Sequence, residues 1–303
     1  MKNDIEITPL VSIVVIAYNS EKYICETLDS CIDQTYENIE IIISDDGSSD
    51  STLLKCKKWI TDRKSNVEIT IIENIENTGI TKNCNRGLNK AKGEWIKFIA
   101  ADDIIVPTGI SDLISEVLTI KNNNLVVVFS EFKTFQNEDV QVYPDSFTQK
   151  VISEKISKKQ ILAMLIYFGN TAPGALINRK AINGVGGFDE SYFLLEDIPL
   201  WYKFLINGHC FSFLRKITVL YRIHPNQATG SSLSAKLATD LRRFNKLNRK
   251  SGLIKNILYY HHALQIFTDE SRGDRSKILM MIAKGISPIK ILIYLHNKFI
   301  NYR

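Results

Sequence analysis

The chain has 303 residues, 45% of them hydrophobic and 23% charged, with a formal net charge of +5. That is room for one large domain or a domain with an appendage, and the ordinary Gly, Pro and charge content excludes a collagenous or disordered chain. The mild positive balance comes without aromatic-basic interleaving or a helix-turn-helix pattern, so a nucleic-acid partner is not expected.

The first half alternates strand and helix patterns. Val11–Ala17 is a continuous apolar run rich in β-branched residues, as buried parallel strands are. Asn19 or Ser20 is placed to cap the next helix, in which Ile24, Leu28, Cys31 and Ile32 share one face. Ile39–Ser44 reads as a second strand that breaks at Asp45-Asp46-Gly47-Ser48, and a helix opening at Ser49 or Asp50 runs through Trp59. A third strand is expected over Val67–Ile72, a helix over Thr81–Ala91, a fourth strand over Trp95–Ala100 ending at Asp102-Asp103, and a fifth over Leu125–Phe129.

The second half is less regular. Gly174–Asn178 and Phe211–Tyr221 read as strands, and Ile161–Phe168 and Glu196–Ile206 as helices. From about Ser234 onward the pattern is helical. Basic residues gather there (Lys236, Arg242, Arg243, Lys246, Arg249, Lys250), on a solvated helix face or a patch facing anionic lipid headgroups. The stretch Ile286–Ile300 mixes bulky apolar residues with Lys290 and Lys298, which suits either packing on a domain or lying in a membrane interface.

Five cysteines, Cys25, Cys31, Cys56, Cys84 and Cys210, form no C-x-x-C pair, and their odd number argues against a disulfide framework. A reducing cytosol fits such a chain. The N-terminal residues lack the apolar stretch of a signal peptide, and the longest apolar runs fall far short of the roughly 20 residues needed to span a bilayer. The expected location is therefore the cytoplasm.

Strand-helix-strand repetition predicts an α/β fold with a mostly parallel sheet, whose ligands bind outside the carboxyl ends of the strands. The polar residues of this chain sit at those ends: Tyr18-Asn19, Asp45-Asp46 and Asp102-Asp103. Any one of them could be a helix cap, but three converging on one edge point to a site. Neither the G-x-G-x-x-G nor the G-x-x-x-x-G-K-[ST] fingerprint is present, which disfavours a Rossmann dehydrogenase or a P-loop nucleotidase. A nucleotide held by carboxylates needs a divalent cation in between, and hard oxygen ligands suit Mg²⁺ or Mn²⁺.

Seven segments in order carry a family resemblance: Ser12–Asn19, Ser44–Asp50, Asn77-Thr-Gly79 with Asn85-Arg-Gly87, Gly93–Asp103, Gly186-Gly-Phe-Asp189, Glu196-Asp197 and Tyr221-Arg-Ile-His224. Together they resemble the family 2 glycosyltransferases of GT-A fold, over about residues 10 to 227. The resemblance implies a catalytic domain over 1–230, with a nucleotide-sugar half at about 8–130 and an acceptor half at about 131–230, followed by a helical extension over 231–303.

It also implies roles. Ala17, Tyr18 and Asn19 would line the nucleoside pocket with Asp45, and Asp46 would accept a hydrogen bond from the base. Asn77, Gly79, Lys82, Ala101 and Asp102 would complete the donor site. Asp102, Asp103 and His224 would face the metal and diphosphate. Glu196-Asp197 would supply the catalytic base, Asp197 before Glu196, and Gly186-Gly187 would let the acceptor approach the backbone. The implied activity is inverting transfer from a nucleoside-diphosphate sugar, with UDP the expected nucleotide. The acceptor would be a glycan or lipid-linked glycan of bacterial surface polysaccharide such as O-antigen or capsule, with peripheral contact to the cytoplasmic face of the inner membrane. A sugar nucleotidyltransferase and a non-catalytic nucleotide-sugar-binding module are the alternatives.

Two positions depart from the family pattern. Ala100 stands where D-x-D-D has its first aspartate, and Cys84 stands where A-R-N-x-G has its arginine. Lys82 or Arg86 could substitute for that arginine, although neighbouring helix positions point about 100° apart.

Overall fold

The structure is a computed structural model of the whole chain. It describes residues 8–63, 65–120, 122–135, 142–143, 171–225, 227 and 235–247. The chain divides into two compact units, Met1–Gly230 and Ser231–Arg303. The helices expected over 161–168 and 286–300 lie outside the described residues.

The first unit is built on one sheet. Its strands are β1 Val11–Ala17, β2 Ile39–Asp45, β3 Glu68–Glu73, β4 Trp95–Ala100, β5 Ile104–Ile105, β6 Leu125–Phe135, β7 Val142–Tyr143, β8 Leu176–Asn178 and β9 Cys210–Arg222. The order across the sheet is β3-β2-β1-β4-β8-β6-β9-β5, with β7 paired to β6. The long ladders, β3 to β2, β2 to β1, β1 to β4 and β6 to β9, are parallel. The antiparallel pairings of β8, β5 and β7 each span only a pair of residues on either strand.

Among the described residues six helices pack with this sheet: α1 Ile24–Ile32, α2 Thr52–Asp62, α3 Ile80–Lys90, α4 Gly109–Thr119, α5 Arg179–Gly184 and α6 Asp197–Ile206. The expected mostly parallel α/β architecture is the one found. Its central strands β1 and β2 are buried on both faces, whereas the edge strand β3 is only partly buried.

The chain runs outward from β1 through β2 to β3 and then returns to the other side of β1 as β4. The crevice beside the end of β1 is therefore a topological switch point, where sheets of this kind take their ligands. Register sets the strand ends level: Ala17 pairs with Asp45, and Ile16 with Ala100.

Several local expectations change. Helix α1 starts at Ile24 with Tyr23 at its N-cap and no side-chain cap. Asn19 instead takes a positive φ of 47°, and its side-chain oxygen accepts from the Ser49 amide at 2.8 Å. Helix α2 opens at Thr52, later than expected, because the Asp50 carboxylate accepts from the Thr52 amide (2.9 Å) and holds the preceding residues in a turn. Strand β6 continues to Phe135, past the expected end at Phe129, because it pairs with β9 along its whole length. Gly174 belongs to a short 3₁₀ turn, Ala172–Gly174, and not to strand β8.

Helix α3 lies close enough to β1 to need a glycine. A Cβ on Gly87 would come within 2.3 Å of Cγ1 of Val14, a fully buried residue of the central strand. Alanine favours a helix over glycine by about 1 kcal/mol, but overpacking of this kind costs about 1–3 kcal/mol and neither element has room to retreat. Gly87→Ala is therefore expected to lower the urea midpoint, and an unchanged or raised midpoint would show that α3 can lift off β1.

In the second unit, helix α7 spans Ala235–Leu247. Lys236, Arg242 and Arg243 are exposed there, and Arg249 and Lys250 lie outside the described residues. No helix among the described residues is long and apolar enough to cross a membrane.

Candidate active site

One end of the candidate site is the row of strand termini. After β1, Tyr18 is 46% exposed and stands out at the sheet edge, while the Ala17 carbonyl accepts from the Asp46 amide at 2.9 Å. Asp45 and Asp46, both buried, follow β2. Asp45 accepts from the Ser48 amide (2.9 Å) and shapes the Asp45–Ser48 turn.

Asp46 is the more heavily engaged of the two. Its oxygens accept from the Thr78 amide (3.1 Å), the Thr78 hydroxyl (2.9 Å) and the Gly79 amide (2.8 Å), and it forms an ion pair with Arg86. Arg86 also donates to Thr78 Oγ1 at 2.8 Å. The carboxylate expected to meet a base thus ties the 77–79 loop to β2 and α3. Gly79 completes the arrangement with φ +96°, a conformation open to glycine, and a Cβ there would reach within 2.6 Å of the Phe193 carbonyl. Asn77 lies exposed, its side-chain oxygen accepting from the Gly79 amide, and Lys82 is exposed on α3.

At the end of β4, Asp102 Oδ2 lies 2.8 Å from His224 Nε2. The two residues are 122 positions apart in sequence. Asp103 turns the other way. Its carboxylate is 3% exposed and accepts from the Arg222 amide at 2.9 Å, and burial together with the neighbouring charge of Asp102 raises its pKa well above the usual range. The buried Lys97 compensates part of that charge. Its own pKa is lowered to about 7 by burial, and its ammonium donates to the Pro173 and Ala175 carbonyls. Of the three expected metal-facing residues, the structure joins only Asp102 and His224. Among the described residues no three His, Cys, Asp or Glu side chains gather as a metal cluster.

A carboxylate oxygen beside an imidazole nitrogen is a two-donor set that leaves room for oxygens of a diphosphate. That set accepts Mn²⁺ readily and Mg²⁺ less so, because imidazole suits the transition metals and Mg²⁺ prefers all-oxygen shells. Ala101 is buried behind this pair, and Ala100, in place of the family aspartate, is exposed.

Helix α3 also links the strand termini to the 186–190 loop. The Asn85 side chain donates to the Phe188 carbonyl (3.0 Å) and to Glu190 (2.9 Å), and accepts from the Phe188 amide (2.9 Å). It thereby pins the Gly186-Gly187 loop, whose glycines both have positive φ. Gly187 fits closely against Asn85, and Lys203 of α6 donates to its carbonyl at 3.0 Å. A Cβ on Gly186 would meet nothing within 4 Å, so that glycine faces open space.

Asp197 begins α6, with Glu196 at the N-cap. Desolvation pushes the Asp197 carboxyl up to about 6, against the opposing pull of the Ile198 amide that donates to it at 2.7 Å. The Cys84 thiol is raised well above its usual range by burial, and next by the charge of Glu196, with Asp46 and Asp197 adding to it and Arg86 opposing. Cys84 therefore lies where the fields of the donor carboxylate and the two acids at α6 meet.

Residues 12–186 match the family model described as glycosyl transferase family 2. The chain belongs to glycosyl transferase family 2. Relatives agree. A glycosyltransferase of Rickettsia typhi is 30% identical over 234 residues, covering 75% of this chain and 68% of its own length. WfaP of Escherichia coli, a UDP-Glc:alpha-D-GlcNAc-diphosphoundecaprenol beta-1,3-glucosyltransferase, is 31% identical over 257 residues, covering 84% of this chain and 90% of its own. The fold matches that of Staphylococcus aureus TarS 1-349 in complex with UDP-GlcNAc (TM-score 0.64, 22% identity, 84% of this chain and 72% of that one). It also matches the Pyrobaculum calidifontis mannosyltransferase PcManGT in complex with GDP-Man and Mn²⁺ (TM-score 0.58, 16% identity, 97% and 83%).

As a family 2 member, the chain shows how one of its two departures is accommodated. With Cys84 in place of the arginine, the cation beside Asp46 comes from Arg86, two positions further along α3 and on a different azimuth. Sequence reasoning named Arg86 as one of two substitutes. It did not single out Thr78, Asn85 or Arg222 as organising residues, although all three lie inside the family motifs.

Proposed function

We propose that this chain is an inverting glycosyltransferase that takes a sugar from a nucleoside diphosphate, most simply UDP. The acceptor is a hydroxyl of a saccharide or lipid-linked saccharide in surface-polysaccharide assembly. The observation that carries the reading is the Asp102–His224 pair at the switch point of the sheet, in the same unit as a carboxyl of raised pKa, Asp197. WfaP, by its name, uses UDP-glucose and a diphosphoundecaprenol-linked sugar, and TarS binds UDP-GlcNAc. Both favour a UDP-sugar donor here, and WfaP favours a lipid-linked acceptor.

In this mechanism Asp197 accepts the proton of the acceptor hydroxyl as that oxygen bonds to the anomeric carbon. The bond from that carbon to the diphosphate oxygen breaks on the opposite face, so the configuration inverts. Asp46, with the loop it holds, orients the nucleoside, and Gly186-Gly187 leaves the acceptor a path along the backbone. Asp102 and His224 would hold Mn²⁺, or less favourably Mg²⁺, which when bound supplies positive charge to the leaving diphosphate. A peripheral contact with the cytoplasmic face of the inner membrane belongs to the same proposal, through the exposed Lys236, Arg242 and Arg243 of α7.

Calorimetric titration with UDP, GDP and ADP, each with Mn²⁺ and then with EDTA, tests the donor half. UDP is expected to bind tightest, and more than tenfold more weakly in EDTA. Absence of binding by all three in both buffers would overturn the reading in favour of a fold retained without a donor site.

A further inference from the structure

Arg222 is among the largest fully buried side chains of the protein and has no direct part in the mechanism above. Its guanidinium lies between two rings, 4.4 Å from the centroid of Tyr23 and 4.5 Å from that of Phe135. Nε donates to the Asp102 carbonyl at 2.6 Å, and Nη2 forms an ion pair with Glu26 at 2.6 Å. The Arg222 amide donates to the Asp103 carboxylate at 2.9 Å. Nη1 is buried with no hydrogen-bond partner in the protein. The Tyr23 ring also meets the His224 ring, with centroids 5.0 Å apart.

A buried guanidinium is costly unless it is paired and bonded. Here the cost is met by groups that belong to three different elements: the N-terminal turn of α1, the turn after β4 and the end of β6. Three of its contacts bear on the Asp102–His224 pair. The Nε bond fixes the Asp102 carbonyl and so the direction of its side chain. The backbone bond to Asp103 holds the neighbouring carboxylate out of the site. The Tyr23 ring packs at a 41° tilt against the ring of His224, two residues along from Arg222. A core placed only for stability would be better served by an apolar side chain, which would leave no donor unsatisfied.

We propose that Arg222 is a positioning residue for the donor end of the site. It orients Asp102 directly and His224 through Tyr23, so that the two present their donor atoms together. The proposal rests on the reading of Asp102 and His224 as the pair that meets the metal and diphosphate.

Arg222→Lys tests it. A lysine keeps the charge, but its single ammonium cannot reach Glu26 and the Asp102 carbonyl in the same fixed fork or stack flat between two rings. Calorimetry with UDP is run on wild type and variant, each with Mn²⁺ and with EDTA. The expected result is an increase of about tenfold in Kd in Mn²⁺ and less than twofold in EDTA, with an unchanged acceptor KM. A purely structural role would move both buffers together or neither. Equal Kd values for variant and wild type in Mn²⁺, with a folded variant by circular dichroism, would overturn the proposal. Should Arg222→Lys not fold, Glu26→Gln decides. It loosens one anchor of the guanidinium from a half-exposed position, and the same selective loss in Mn²⁺, about threefold, is expected. A Glu26→Gln variant indistinguishable from wild type would then overturn it. Failure of wild type to bind UDP in either buffer is a different result, which removes the reading of the site and leaves Arg222 unaddressed only because its target is gone.

Discussion

Asp197→Asn is expected to lower kcat about 10²–10⁴-fold, the range that a positioned general base contributes, while UDP binding stays at its wild-type value. The substitution keeps size and keeps the oxygen that accepts from the Ile198 amide, so the start of α6 is preserved. What it removes is the ability to take a proton. The raised pKa gives the pH dependence. Below about pH 6 the carboxyl is protonated and cannot accept, so wild-type kcat/KM is expected to fall about tenfold per pH unit on the acid side. The residual activity of the variant should lack that limb. Stability moves in the opposite direction from activity. A carboxyl whose pKa rises on folding from 3.8 to about 6 costs stability once pH exceeds the unfolded value, and the full cost is present above the folded value. Asparagine never ionises. Asp197→Asn should therefore be more stable than wild type at pH 7, by about 1–2 kcal/mol given that the residue keeps part of its surface in solvent. The advantage should vanish near pH 4. Thermal unfolding at pH 4 and 7 beside a pH–rate profile measures both. A variant that keeps full activity, or is destabilised at pH 7, would remove Asp197 from the catalytic role.

The strands were legible because burial on both faces leaves an unambiguous trace. Val11–Ala17 and Trp95–Ala100 have the same bounds in sequence and structure, since burial on both sides of the sheet keeps them predominantly apolar, and the polar residues inside them, Ser12 and Lys97, are buried with hydrogen-bond partners. Helix starts were less legible. They depend on which of several adjacent polar side chains wins the free amides, and at α2 Asp50 caps Thr52 from outside the helix. Helix α4 is weakly marked in the sequence although Ile110, Leu113 and Ile114 fall on one buried face and Thr108 Oγ1 bonds Asp112 at 2.8 Å, because it opens on Gly109, a poor helix former. The site was legible where chemistry sits at strand ends, and illegible where it depends on pairs distant in sequence. Nothing local to Asp103 says that its carboxylate will turn toward an amide 119 residues away, and nothing local to Arg222 says that it will lie between Tyr23 and Phe135. Both follow from how β9 returns beside β5 at the end of β4.

Asp46→Asn is expected to cost about 3 kcal/mol of stability, the scale for breaking a buried ion pair from one side, and to weaken UDP binding by more than tenfold. The carboxylate meets only donors: the Thr78 amide and hydroxyl, the Gly79 amide and the Arg86 guanidinium, with Asn74 at 3.3 Å. An asparagine must set its NH₂ against one side of that ring of donors whichever way it is flipped, and Arg86, whose Nε already lacks a partner, loses its counter-charge. Desolvation of donors left facing a donor costs more than the hydrogen bonds themselves contribute. The strain would be released by letting the 74–79 loop move, and Gly79 carries that motion to Phe193, against which it packs. Loss of donor binding and loosening of the segment that leads to Glu196-Asp197 are therefore coupled through one carboxylate. Arg86→Met separates the parts: it leaves Asp46 with the loop amides and removes only the charge pair, so its stability should fall less and the loop should stay in place. The melting temperature of the catalytic unit should drop by about 6–12 °C in Asp46→Asn, measured beside the UDP titration. If both variants lose the same stability, the ion pair alone matters and the loop amides contribute nothing. If Asp46→Asn melts with wild type, Asp46 is not the residue that holds the 77–79 loop against the sheet.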